Sequence, residues 1–177
     1  MRKFKRINLT NATEDYFLKV GEEAYISFSN VTQVPLHIAT QDGTYYEMHI
    51  IPSNTGGHSG GQGAPIYLYP NNTTYSGAFY YAEFYRSSSR LSTFYVQYSA
   101  FRIGWAFTCI TAWITNRTQY KNVHAIYDMY GYSTGTNYPL LTVLSTDWRD
   151  TTTPWTSLGT IEFPQSSSGE ILVRRLK

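Results

Sequence analysis

The sequence predicts an all-β protein, an antiparallel β-sandwich or jelly-roll-like domain assembled as a trimer. Three observations carry that expectation. The chain has 17 Tyr in 177 residues, and many of them sit on short segments that alternate rings and apolar residues with a period of two. Helix signals are nearly absent, because no window sustains an apolar stripe at i, i+3, i+4 and i+7 over three turns. The segment from Ile103 to Ile114 is apolar on both faces, so it asks for cover on two sides. In a chain of this length the second cover is expected from another copy.

Composition narrows the class further. Hydrophobic residues make up 42% and aromatics 17%, enough to bury a core. Charged residues are 15%, well below the roughly 25% usual in soluble domains. The net charge of +2 and the scarcity of basic clusters argue against a nucleic-acid footprint. The basic start, Arg2, Lys3, Lys5 and Arg6, is followed by polar residues rather than an apolar stretch, so it does not read as a signal peptide. No apolar run approaches the ~20 residues of a membrane span. These features predict synthesis in a cytoplasm, with no membrane insertion. Six Asn-x-Ser/Thr sequons begin at Asn8, Asn11, Asn30, Asn71, Asn72 and Asn116, and in a Thr-rich chain chance accounts for them.

The pattern divides the chain into residues 1–15, a basic arm with a first strand, and residues 16–177, a single β-sandwich domain. Strands are expected at 4–10, 16–19, 23–30, 34–40, 44–51, 65–70, 77–86, 92–100, 103–115, 121–130, 139–146, 157–163 and 170–176. Gly, Asn, Asp, Ser and Pro punctuate them, as at Gln41-Asp42-Gly43, Pro70-Asn71-Asn72 and Ser166-Ser167-Ser168-Gly169. Cys109 reads as a buried small hydrophobe. The stretch from Gly56 to Gly63 has no apolar anchor and no Lys. It reads as a loop rather than a phosphate cradle, since a strand and not a helix follows.

Contact is the most legible functional signal. Period two puts Tyr45 and Glu47 on one face of a strand, Tyr81, Glu83 and Tyr85 on one face of another, and Tyr95 and Gln97 on a third. Rings with polar tips beside carboxylates and amides suit sugar hydroxyls and apolar sugar faces. They equally suit a moist subunit interface, where Tyr is enriched, or cross-strand stabilisation of the sheet. Trp148 reads as an exposed loop ring and joins the ligand-binding candidates. Trp105, Phe107 and Trp113 are the expected oligomer interface.

Chemistry is less well supported. Glu47 and Glu83 would make a glycosidase pair only if their strands were neighbours. No nucleophile elbow leading from a strand into a helix and no Cys–His pair is read in the chain, so it is not read as an enzyme. His37, His49, His58 and His124 lack metal-ligand spacing, which leaves a single His repeated on a trimer axis as the one route to a bound ion. No metal site and no cofactor are expected.

The run Thr153-Pro154-Trp155-Thr156-Ser157-Leu158-Gly159-Thr160-Ile161-Glu162-Phe163-Pro164-Gln165, with Ile171-Leu172-Val173-Arg174-Arg175-Leu176 beyond it, resembles the ends of tailed-bacteriophage fibre and virion-decoration proteins. The Tyr-rich block from Tyr67 to Trp105 is similar in style. The resemblance covers about half the chain and supplies no catalytic residue. It implies an all-β, commonly trimeric virion protein, here a fibre or tip component that attaches to a host-surface glycan or receptor. The basic arm would then meet other virion proteins, and lysis would account for release without a signal. A head or tail decoration protein with no ligand, and a carbohydrate-binding module of a larger system, are the alternatives.

Overall fold

The computed structural model describes residues 4–53, 65–73, 79–87, 90–91, 101–105, 109–130, 139–148 and 152–177. Side chains are not described at 65, 79–87, 90–91, 101–102, 104–105, 128–130 and 139–142. The fold is all-β, as the alternating pattern predicts. The strands are β1 (Lys5–Asn8), β2 (Glu22–Pro35), β3 (Thr44–Pro52), β4 (Pro65–Tyr69), β5 (Phe79–Ser87), β6 (Arg90–Leu91), β7 (Phe101–Trp105), β8 (Ile110–Arg117), β9 (Tyr120–Tyr130), β10 (Pro139–Trp148) and β11 (Thr160–Arg175). A 3-10 turn at Pro70–Asn72 follows β4.

The sheet runs β1-β2-β11-β3-β8-β9-β10-β5-β6, and a branch of β4 and β7 leaves it at β11. Neighbours are antiparallel except β1 and β2, which are parallel. Strand β7 approaches β9 and β10 without pairing with them, so the branch folds over one face as a second layer. Its Ile66, Leu68 and Ile103 pack into the same core as Ala125, Tyr127 and Leu144.

Each long strand follows its own alternation. In β3, Thr44, Tyr46, Met48 and Ile50 are buried while Tyr45, Glu47 and His49 point to the other face. In β8, Ile110, Ala112, Ile114 and Asn116 are buried, and Trp113 is exposed. β-Branched residues at the inward positions fill the core with few rotamers to lose. The face away from the branch is called the outer face below.

Several expectations change. The doubly apolar segment is two strands, β7 and β8, with separate partners: β7 pairs β4, and β8 pairs β3 and β9. Its two apolar sets therefore belong to different strands rather than to the two faces of one. Cys109, at the start of β8, is exposed instead of buried. Trp148 is a core residue, 5% exposed, with its ring edge-on to Trp155 at 5.6 Å and 87°. The expected strands at 16–19 and 34–40 reduce to isolated bridges at Tyr16–Ile38 and Ala39–Ser157, since Pro35 ends the β2 ladder and His37 takes a left-handed φ of 51°. Conversely, 157–163 and 170–176 are parts of one strand, with Ser166–Gly169 absorbed as an irregularity in its pairing with β2. Residues 5–8 of the expected arm form the sheet's edge, and Lys5 and Arg6 pair with Glu22 and Glu23.

Two polar clamps hold the segment before β11 against the sheet. Asn71 Nδ2 donates to Pro154 O, and its Oδ1 accepts from the Thr156 and Ser157 amides at 2.8 and 3.0 Å. Buried Asn116 donates through Nδ2 to Thr40 Oγ1, Gln41 O and Trp155 O at 3.0–3.1 Å. Removing that amide deletes at once the links from β8 to Thr40, Gln41 and Trp155. Asn116→Ala is therefore expected to cost about 2–3 kcal/mol, read as a lower urea midpoint at unchanged slope. Gly159 is tighter still: its φ is 72°, and a Cβ would lie 1.8 Å from Tyr69 O. Gly159→Ala should cost more than about 3 kcal/mol, or prevent folding, in the same titration.

Candidate functional site

Directly opposed residues of antiparallel strands share a face. One row on the outer face therefore runs Glu23, Arg174, Glu47, Trp113, His124 and Ser145, across β2, β11, β3, β8, β9 and β10. Arg6 of β1 extends it beyond Glu23.

The first half of the row is an alternating chain of charges. Arg6 Nη2 lies 3.0 Å from Glu23 Oε1. Arg174 bridges the two carboxylates, with Nε 2.7 Å from Glu23 Oε2 and Nη1 3.1 Å from Glu47 Oε1. The Phe4 ring stacks on the Arg174 guanidinium at 4.9 Å. Burial pushes the Glu23 carboxyl up, yet hydrogen bonds and charges from Arg174 and Arg6 outweigh it and hold it below the usual range. Glu47 behaves alike, with burial opposed by His49 and Arg174 and the balance again downward. The Glu23 hydrogen bond raises Arg174 against the opposing effect of burial.

His49 lies beside Glu47 on the same strand. Its Nε2 is 2.7 Å from Glu47 Oε1, and its Nδ1 is 3.2 Å from Thr111 Oγ1 across the β3–β8 ladder. An ionised carboxylate accepts, so Nε2 donates to Glu47, and Nδ1 shares a second bond with the Thr111 hydroxyl. Hydroxyl, imidazole and carboxylate thus stand in relay order. A nucleophilic relay also needs amides converging on a developing oxyanion. Here Thr111 is a ladder residue, paired with His49 on one side and Ile126 on the other, and the surrounding strand amides are spent on those ladders. The arrangement fixes the Glu47 carboxylate rather than building a hydrolytic centre.

The second half of the row is aromatic and polar. Trp113 is 37% exposed, and His124 beside it is also exposed. Asn122 Nδ2 lies 3.0 Å from Tyr120 Oη and 2.5 Å from His124 Nε2, while the buried Oδ1 atoms of Asn122 and of its cross-strand partner Asp147 lack partners. Turning the amide over about Cβ–Cγ lets Oδ1 accept from the Tyr120 hydroxyl and His124 Nε2–H. Burial, and then the Asp147 charge, raise the Tyr120 phenol.

The sequence-predicted site divides accordingly. Tyr45 lies on the outer face, its ring 5.5 Å from the Arg117 guanidinium and 5.9 Å from Lys177 Nζ. Glu47 shares that face. Tyr81, Glu83 and Tyr85 lie in β5, and their side chains are outside the description. Strands β3 and β5 are not neighbours, because β8, β9 and β10 stand between them. Four steps of about 4.8 Å separate Glu47 from β5 by roughly 19 Å along the sheet, and its row reaches β5 at Ala82. The Glu47–Glu83 pair therefore does not form as cross-strand neighbours. Tyr95, Gln97, Phe107 and the Gly56–Gly63 loop lie outside the described residues, and Trp105 is described only by its backbone. Trp148, being buried, leaves the candidate surface. Of the expected interface residues, Trp113 is the exposed one with a described side chain.

Arg174, His124 and Thr111 enter the site unannounced by sequence. Each is a member only through register, which local pattern does not reveal. Among the described residues no group of three or more His, Cys, Asp or Glu is placed to hold a metal ion, and no helix is long and apolar enough to cross a membrane. No protein-family model, curated protein or solved structure matches the chain.

The charge row makes a pH prediction. Carboxyls held low in the folded state contribute stability that is present above their unfolded value and lost as pH falls through the folded one. Thermal stability should therefore fall on acidification below about pH 4.5. Glu23→Gln should be less stable than wild type at pH 7, and the gap between them should narrow as pH drops below 4. Parallel melting curves from pH 7 to pH 3 check both the slope and its loss.

Proposed function

We propose that the chain is a structural protein of a bacteriophage virion, a fibre or tip component whose outer sheet face attaches to a host-surface glycan. The observation that carries this reading is the exposed Trp113 in the middle of a rigid ladder, flanked by Glu47 and His124. A ring with a polar edge, held on an ordered sheet beside a carboxylate and an imidazole, suits contact with a sugar or a partner surface. Ile51 and Val143, also exposed, lie on the same face by register. The low charge content and the resemblance of the Thr153–Leu176 region to phage fibre and decoration proteins support the same class.

Assembly as a homotrimer belongs to this reading, since weak sites repeated three times gain through effective concentration. Light scattering should give three times the 20.3 kDa chain mass, and a monomer mass would remove the trimer. The attachment role is tested on particles. Antibody against the chain should label one end of purified virions, and free protein should slow phage adsorption to host cells. Absence from particles overturns the virion assignment. Particles that contain the protein but adsorb normally when its outer face is blocked favour a decoration protein without a ligand.

A further inference from the structure

We infer that Trp113 is the floor of a subsite for one uncharged pyranose, with Glu47 and His124 as its hydrogen-bonding rims. The inference rests on the reading of the outer face as a glycan-attachment surface and adds the chemical class of the sugar and the residues that hold it.

The floor is preorganised. Trp113 sits in β8 between two antiparallel ladders, so its backbone cannot yield on binding. Opposed side chains on neighbouring strands start about 4.5–5.5 Å apart at Cβ, so Glu47 and His124 flank Trp113 on its two sides in the row. A pyranose presents one face of C–H bonds and a belt of hydroxyls. The C–H face meets the electron-rich face of the indole, and the belt meets the two rims.

The Glu47 rim is available and already ordered. Its Oε1 is spent on His49 Nε2 and Arg174 Nη1, while Oε2 has no hydrogen bond to a described residue. Because His49, itself bonded to Thr111, and Arg174 hold the carboxylate in place, little side-chain freedom remains to be lost when a hydroxyl donates to Oε2.

Charge selects the sugar. The guanidinium nearest to Trp113 along the row is that of Arg174, and both of its bonds go to carboxylates. Arg6 is likewise held by Glu23. No cation of the row is left over for a carboxylated or sulfated sugar, and the ionised Glu47 repels one. A quaternary ammonium group would suit the indole and the carboxylate, but such cations are held by cages of several rings. Trp113 is a single platform.

The test uses the full-length protein against a glycan array carrying neutral, sialylated and sulfated glycans. Saturation-transfer NMR with methyl glycosides of glucose, galactose, mannose and N-acetylglucosamine, and with choline, accompanies it. Neutral glycans should bind, and saturation should be strongest at the ring C–H protons. Trp113→Ala should weaken binding about tenfold or more. Trp113→Tyr, which keeps a platform, should retain most of it. Trp113→Tyr should keep the wild-type melting temperature within a few degrees, whereas Trp113→Ala, which removes a ring only 37% exposed, should melt lower but in one cooperative transition, and its binding is read well below that midpoint. Preference for acidic glycans, capture of choline instead of sugars, or neutral-glycan binding untouched by Trp113→Ala each overturns the subsite. Those results leave the attachment reading standing if free protein still blocks adsorption. Protein that blocks adsorption yet binds no saccharide overturns the subsite and the glycan as receptor but leaves virion attachment standing, and protein absent from particles overturns the virion reading itself.

Discussion

Strand β11 sets the terms for the rest of the sheet. It is sixteen residues long, and an interior strand must satisfy backbone donors and acceptors along both edges. One edge is taken by β2, from Pro35 to Glu23. The other is shared, by β4 opposite Thr160–Glu162 and by β3 opposite Gly169–Arg175. The register slips between Glu162 and Gly169 let one strand serve the branch and the main sheet in succession. Gly169 marks the crowding where the slip ends, since a Cβ there would stand 2.4 Å from Ile51 O and 3.1 Å from the Phe28 ring. A sheet organised in this way has its second layer anchored to its own central strand, and the core between the layers follows.

The outer face is the counterpart of that core. Facing water, it can carry residues that the interior would exclude, and register sorts them into a saturated row of charges that continues into an aromatic platform. Each carboxylate of the row has more than one partner: Glu23 is held by Arg6 and Arg174, and Glu47 by Arg174 and His49. Isolated surface ion pairs contribute little, but connected and partly buried ones lose less to motion and screening. The stiffness of the row matters to the platform because Glu47 belongs to both.

Sequence pattern carried the class and the faces of individual strands. Tyr46, Met48 and Ile50 are buried and Tyr45, Glu47 and His49 are not, as period two requires. It failed where the answer depended on which strand lies next to which. Glu47 and Glu83 looked like partners because each shares a face with tyrosines, yet three strands divide β3 from β5. The apolar run around Cys109 looked like one strand because a break leaves the hydrophobic composition unchanged. Trp148 looked exposed because charged neighbours surround it in the chain, whereas the end of β10 places it against Trp155. The Arg174 bridge was illegible for a related reason: Glu23 and Arg174 are 151 residues apart, and nothing local announces such a pair.

That separation has a consequence for how the protein comes into being. The described ladder most distant in sequence joins β2 to β11, whose paired residues Glu23 and Arg174 lie 151 positions apart. While a ribosome is still making β3 to β10, β2 has no antiparallel neighbour and β3 lacks the strand that should lie between it and β2. A topology dominated by distant pairings closes slowly and exposes apolar strand edges while it waits. Closure of this sheet accordingly waits until residues 160–175 have left the ribosome. Until then Met48, Ile50, Ile110 and Ile114 lie on strands whose sheet is incomplete, and the sparse charges of the chain are what keeps them from pairing with a stranger.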